Sequence, residues 1–491
     1  MGLVEHLWDS WLLWSLALLD IVVRLWLMCR VIMRRVSVPV SLAWLILLVF
    51  LPFVSEFFYL LFGEKRLGAR KALKVNAAGR IQSRLAMAQW GARVGATFEK
   101  NPTHAAIANL CSAVGSFPPV GGNVVELMDD ASQVLARITA DIARARRHCH
   151  LLYYIWQSSG GSVMVSEALI AAAKRGVKCR VLVDAVGSQS FLRSEMYRSL
   201  VEGGVRVVVA LPVNALRMLL ARIDLRNHRK ITVIDGGIAY CGSQNMADES
   251  FRAKRSKRLG PWIDTTARLE GPGVHALQTI FLRDWGYDSD EEMGDLAEYF
   301  PHCPMVPEGS VVQVVPSGPG VAAPHAIHQV LLAMLHAAHE EIIMTTPYFV
   351  PDEAMMAALI NAALRGVRVT LVVPDKLDAM LVAAASRSHF EELLEVGVTI
   401  MQHEEGLLHA KTATIDRSLC LVTSANIDIR SFWLNFEASM VVYDKDVTGM
   451  MRMLQTKYIS ESKQLFLDEW RKRPVWMRFA DNVAQLWGPL L

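Results

Sequence analysis

One eight-residue string occurs twice in this chain, and any fold must bring both copies to useful places. The first is His228-Arg229-Lys230-Ile231-Thr232-Val233-Ile234-Asp235 and the second is His409-Ala410-Lys411-Thr412-Ala413-Thr414-Ile415-Asp416. Both read H-x-K-x4-D, and each is trailed by a Ser and an Asn, Ser243 and Asn245 or Ser424 and Asn426, with the Asn 17 positions after the His. The repetition extends beyond the motif. Residues 168–184 and 358–374 align at an offset of 190, against 181 between the histidines. Each of these stretches reads as an apolar-striped helix, a Gly C-cap (Gly176, Gly366) and a buried strand. Apolar runs at 151–156 and 342–349 precede them. Two α/β units of about 180 residues, with helices packed on sheets, are therefore expected.

The repeated side chains suggest a chemistry. Alternation along a strand puts His228 and Lys230 on one face, and His409 and Lys411 likewise. Asp235 and Asp416 fall an odd number of positions further on and read as structural groups at the strand ends. A pseudo-twofold axis would gather two His, two Lys and two Asn. Two ammonium groups suit a phosphodiester anion and the charge that grows on its oxygens. One imidazole can attack phosphorus, while the other protonates the leaving alkoxide and later deprotonates an incoming alcohol. Which His attacks is left open by two equally complete copies. The arrangement needs no metal and no cofactor. Each His also needs an acid on its far nitrogen. Glu437, in an apolar run, and Asp264, in Trp262-Ile263-Asp264-Thr265-Thr266, are the candidates.

The doubled motif with its trailing Ser-x-Asn resembles the phospholipase D superfamily. The context is similar to its bacterial cardiolipin synthase family: two apolar N-terminal segments, Pro347-Tyr348-Phe349-Val350-Pro351, and Ser424-Ala425-Asn426-Ile427-Asp428-Ile429-Arg430-Ser431-Phe432 followed by Asn435-Phe436-Glu437. The resemblance implies an α/β protein, with two pseudo-twofold-related phospholipase D-like sandwich halves preceded by two membrane helices. It implies catalytic roles for His228, Lys230, Asp235, His409, Lys411 and Asp416. Ser243, Asn245, Ser424 and Asn426 would bind substrate, supported by Asp264 and Glu437. The implied reaction joins two phosphatidylglycerols into cardiolipin and glycerol, exchanging one phosphodiester for another. No GxxxxGK[ST] nucleotide loop is present, and Asp235-Gly236-Gly237 does not continue as the signature of CDP-diacylglycerol enzymes.

The expected layout is a membrane anchor over 1–74, a first half with connector over 75–300, a Pro-rich linker over 301–324 and a second half over 325–491. Within the anchor, residues 38–63 are nearly all apolar and long enough to span a bilayer, with a kink at Pro52. Residues 7–33 are apolar but carry Asp9, Asp20, Arg24 and Arg30, with Asp20 and Arg24 spaced to pair. Lys65, Arg66, Arg70, Lys71 and Lys74 follow the second segment, which predicts a bacterial inner-membrane protein with its catalytic body in the cytoplasm. An apolar helix over 211–223 is expected to dip into the interface. The basic run Arg252, Lys254, Arg255, Lys257 and Arg258 is a candidate contact for anionic lipid. Seven scattered cysteines without a CxxC pair fit a reducing compartment. The partners expected are phosphatidylglycerol and an anionic bilayer, with a homo-oligomer compatible and nucleic acid excluded for want of a basic, aromatic-studded groove. The rival readings are a lipid hydrolase using water and, less well supported, a membrane-bound nuclease.

Overall fold

The computed structural model describes residues 2–34, 38–63, 101–212, 224–249, 251, 260–289, 291, 293–319, 323 and 325–487. The chain divides into two compact units, one containing residues 1–69 and the other nearly everything from residue 70 onward.

The larger unit is built on one 15-stranded mixed sheet. In the first half the strands run, from the centre outward, Val120–Met128, Thr266–Glu270, Ile238–Gly242, Ile231–Ile234, His148–Tyr153, Lys178–Asp184 and Arg206–Ala210. The second half repeats the order with Ser310–Ser317, Glu437–Val442, Leu419–Thr423, Thr412–Ile415, Glu341–Thr345, Arg368–Pro374 and Thr399–His403, and adds the edge strand Ser462–Gln464. The three outermost strands common to both halves are parallel, and the inner two of each three are almost wholly buried, as strands covered on both faces must be. On one face, helices Ala131–Arg144 and Gly161–Lys174 pack on the first half and Ala326–Ala337 and Glu353–Leu364 on the second. Helices Val274–Asp288 and Lys445–Ser460 share a single apolar core with strands of both halves.

The helix-to-strand turns follow the glycine reading. Gly176 and Gly366 have φ of 90° and 86°. The next amides, Val177 and Val367, bond back to the Ala172 and Ala362 carbonyls at 3.1 Å each. That is the C-terminal motif in which only glycine sits without strain.

The halves meet at a seam that the sequence concealed. Val120–Met128 pairs antiparallel with Ser310–Ser317. Both strands lie in stretches whose composition reads as connector, the first glycine-rich and the second inside the 301–324 linker. The glycines mark a bulge: the register shifts between Val120 and Asn123, where Gly122 has φ of 79°. Pro316 is tolerated because the seam pairing reaches only Ser310 and Val312, so Pro316 has Ala438 as its one strand partner.

The smaller unit holds the helix Gly2–Met33, the helix Val38–Phe50, a short helix Val54–Phe58 and a π-turn Tyr59–Gly63. Leu27, Val31, Leu48 and Tyr59 form its core. Arg24 pairs with Asp20, as their spacing predicts, and its Nε lies 3.5 Å from Glu56. Both apolar N-terminal segments are helical. The second segment breaks at Pro52, where Phe53 takes φ of 61°, leaving 13 helical residues before the break. The first is a continuous helix of 32 residues whose apolar run is broken by Asp9, Asp20, Arg24 and Arg30. Among the described residues no helix is long and apolar enough to cross a membrane. Residues 213–223 and the basic run 252–258 lie outside the described residues, as do 64–100.

Candidate active site

Each motif histidine sits where a loop enters a central strand, and each is held by an acid from the opposite half. His228 Nδ1 lies 3.0 Å from Glu437 Oε1, and His409 Nδ1 lies 2.6 Å from Asp264 Oδ1. Backbone pairing produces this crossing. The His228 amide donates to Phe436 O at 2.9 Å and the His409 amide to Ile263 O at 2.7 Å. Leu407 and Leu408 pair in parallel with Trp262 and Ile263. The residue after each paired position is the acid. The sequence identified both acids; which served which ring depended on contacts 145 and 209 residues apart.

The trailing serines brace those acids. Ser243 Oγ donates to Asp264 at 2.7 Å and accepts from the Thr265 amide at 2.9 Å. Ser424 Oγ donates to Glu437 at 2.5 Å and accepts from the Ala438 amide at 3.0 Å. Both serine hydroxyls, expected to bind substrate, donate to the carboxylates that hold the rings. Asn245 Oδ1 accepts from the Ile155 amide at 3.2 Å, and Asn426 Nδ2 donates to Asp428 at 3.0 Å.

The lysines lie beside the rings. Lys230 Nζ donates to the His228 carbonyl at 2.6 Å, and Lys411 Nζ to the His409 carbonyl at 2.8 Å. Lys411 also reaches His409 Nε2 at 3.1 Å. Tyr154 packs edge-on against His228 with centroids 4.9 Å apart, and Trp262 lies 4.6 Å from His409.

The motif aspartates stand elsewhere. Asp235 accepts from the amides of Arg146, Arg147 and His148 at 2.7–2.9 Å. Asp416 accepts from those of His339, Glu340 and Glu341 at 2.8–2.9 Å. Both adopt positive φ, 51° and 46°, at the far end of the motif strand. Each thus ties backbone amides together at the strand end, where strand parity places it.

Burial sets the charge states. It pushes both histidines below their ordinary range, further lowered by the neighbouring lysines against the pull of the acids. Burial also lowers Lys230 to about 7 and Lys411 to about 8. It pushes the acids upward, but the rings, lysines and serine hydroxyls outweigh it: Asp264 is held at about 2, and Glu437 is also below its usual value. Ionised acids require the rings to donate from Nδ1, leaving the Nε2 lone pair for chemistry. Each lysine feels the acid of the other half's histidine as well, so the two rings, two lysines and two acids form one electrostatic cluster.

Several contributors escaped the sequence reading. Arg229, 2% exposed, forks onto Asp284 at 2.5 and 2.6 Å and donates to the carbonyls of Ser317 and Glu437 at 3.0 Å each. Asn435 donates to Glu437 at 3.3 Å. The signal for Arg229 was a charge on the buried side of an apolar strand, which demands a partner. Among the described residues no cluster of three or more His, Cys, Asp or Glu is arranged to hold a metal ion.

The geometry agrees with comparison to known proteins. The family described as "Cardiolipin synthase, PLD-like domain" matches residues 138–268 and 331–456. Cardiolipin synthase A of Serratia proteamaculans is 39% identical over 464 residues, covering 94% of this chain and 95% of that protein. Cardiolipin synthase A of Yersinia pseudotuberculosis is 40% identical over 469 residues, with 94% and 95% covered. Among solved structures, phosphatidylserine synthase of Haemophilus influenzae Rd KW20 superimposes with a TM-score of 0.59 at 15% identity, covering 80% of this chain and 100% of that one, a likeness of fold. With two matched PLD-like domains and near-full-length relatives, the chain belongs to the cardiolipin synthase family.

Proposed function

We propose that this chain transfers a phosphatidyl group from one phosphatidylglycerol to a second, releasing glycerol and forming cardiolipin through a phosphohistidine. The observation that carries the mechanism is the crossed pairing of each motif histidine with an ionised acid of the other half. His228 Nε2 attacks phosphorus and the bond to the glycerol oxygen breaks. The other ring, His409, gives a proton to that oxygen. The approaching phosphodiester anion favours the charged form of His409 and of both lysines. Glycerol leaves; the terminal hydroxyl of the second lipid loses its proton to His409 and attacks phosphorus. The P–N bond then breaks and His228 is restored.

His228 is assigned as the nucleophile because Lys411 already occupies the Nε2 lone pair of His409. The described contacts of Lys230 include no equivalent. Glu437 and Asp264 stabilise the imidazolium that each ring becomes. Lys230 and Lys411 neutralise the non-bridging oxygens, a term worth about 2.7–4 kcal/mol for a single well-placed donor.

The smaller unit supports membrane attachment. Trp11, Trp14, Leu18, Leu19, Leu25 and Trp26 are exposed, and Arg24 is neutralised by its acids. A bacterial inner-membrane location with a cytoplasmic body fits this surface and the positive residues that follow it. Protease added outside spheroplasts should leave the body intact; cleavage there would place it on the other side.

Purified protein in vesicles of phosphatidylglycerol alone should yield cardiolipin and glycerol in equal amounts by mass spectrometry. Phosphatidic acid as the sole lipid product would instead establish a hydrolase.

A further inference from the structure

Two arginines from opposite halves have their backbone carbonyls fixed on adjacent amides next to the His228–Glu437 pair. The Asn435 amide donates to the Arg430 carbonyl at 3.1 Å, and the next amide, Phe436, donates to the Arg226 carbonyl at 2.9 Å. Glu437 follows directly. Arg226 and Arg430 are half-buried, and the charge of each acts on the Tyr154 hydroxyl, whose ring packs against His228.

The same stretch holds two buried amide oxygens with nothing to accept. Asn426 is 7% exposed and Asn435 6%. Their nitrogens are committed, to Asp428 at 3.0 Å and to Glu437 at 3.3 Å, which fixes the amide orientation. Among the described residues neither Oδ1 has a hydrogen-bond partner. Leaving such an oxygen unpaired costs about 1–3 kcal/mol, which a hydroxyl-bearing ligand would relieve. The other half is unlike this: Asn245 Oδ1 is taken by the Ile155 amide. The vacant acceptors therefore belong to one side of the site.

We infer that Asn426, Asn435, Arg226 and Arg430 form the subsite for the acceptor's headgroup, the amide oxygens taking glycerol hydroxyls and the guanidinium groups taking the acceptor's own phosphodiester anion. This rests on the reading of the chain as a phosphatidylglycerol transferase. An incoming phosphatidylglycerol differs from water and from free glycerol by carrying a phosphate near its reactive hydroxyl. Paired guanidinium groups recognise such an anion through forked hydrogen bonds. The subsite thus directs the phosphohistidine toward a phosphorylated alcohol and away from water.

The test uses the wild-type protein in phosphatidylglycerol vesicles with labelled glycerol or labelled glycerol 3-phosphate as soluble acceptors. Either hydroxyl attacks the same phosphohistidine, forming a P–O bond as the P–N bond breaks, to give labelled phosphatidylglycerol or phosphatidylglycerol phosphate. The KM for glycerol 3-phosphate should lie at least tenfold below that for glycerol. In Arg226→Gln and Arg430→Gln that advantage should shrink below threefold, and the corresponding Lys variants should recover part of it. Equal KM values in the wild type overturn the subsite without needing any variant to fold, as does an advantage that survives in both Gln variants. Failure of the parent reading looks different: label enters from soluble acceptors while phosphatidylglycerol alone gives no cardiolipin.

Discussion

Lys230 and Lys411 are held at the centre of the site at the expense of stability, and their protonation shapes the pH behaviour. Both are fully buried amines with pKa lowered by desolvation, to about 7 and about 8. Binding an anionic lipid needs the charged form, so kcat/KM should fall as pH rises through that range. Bound lipid favours the ammonium, so the falling limb of kcat should sit at higher pH than that of kcat/KM. Coincident limbs would contradict this. The linkage has a definite sign. Between about 7 and 10.5 the unfolded chain keeps protons that these folded lysines have lost, so their effect is to raise stability with pH across that window. Denaturant midpoints of the lipid-free protein at pH 7 and 9, compared with those of Lys230→Met, isolate the effect: the variant should lose part of the pH slope. At the acids, Glu437→Gln and Asp264→Asn should each lower kcat by about 10²-fold or more with modest change in KM, since they act on the ring that changes charge. Steady-state kinetics on mixed micelles checks it; a pure KM effect would make them substrate-binding groups. The acids are legible in the sequence as residue types in apolar runs. Asn435, Arg226 and Arg430 are not legible as a site, because a vacant hydrogen-bond acceptor exists only once the fold has decided what surrounds it.

At the scale of elements, the sequence was most readable where one local requirement had one residue type that meets it. Gly176 and Gly366 close their helices in conformations that glycine alone adopts freely, with open space around an added Cβ. Replacing either with Ala should cost about 1 kcal/mol through backbone strain alone. Gly309 is a different case: an added Cβ would approach the Gly122 carbonyl carbon at 2.8 Å across the seam. Gly309→Ala should therefore destabilise by about 1–3 kcal/mol through forced separation of two central strands. Chemical denaturation of the three variants ranks them, and an equal or smaller loss at Gly309 would refute the seam geometry. The seam strands are hard to read because their glycines and prolines mimic loop composition; the bulge and the one-sided pairing at Pro316 permit those residues inside a sheet. The motif aspartates went the other way. Strand parity alone turns them away from the rings, and in the fold each holds three backbone amides at the strand's far end.

In the body of the molecule, neither half owns a complete site. Each supplies a histidine, a lysine and an asparagine, and each borrows the acid that its histidine bonds. The sheet is continuous through the seam, and one apolar core draws on both halves. Duplication was visible in the sequence; the exchange of acids was not, because a repeat read by itself suggests two self-sufficient units. The central claim is that the two rings act in succession on one phosphorus. Each in-line displacement inverts configuration, so two in series restore it. The most direct measurement is the stereochemical course at phosphorus with a chirally labelled phosphatidylglycerol. Net retention is predicted for transfer through a phosphohistidine, and net inversion, meaning direct attack by the second alcohol, would contradict the account.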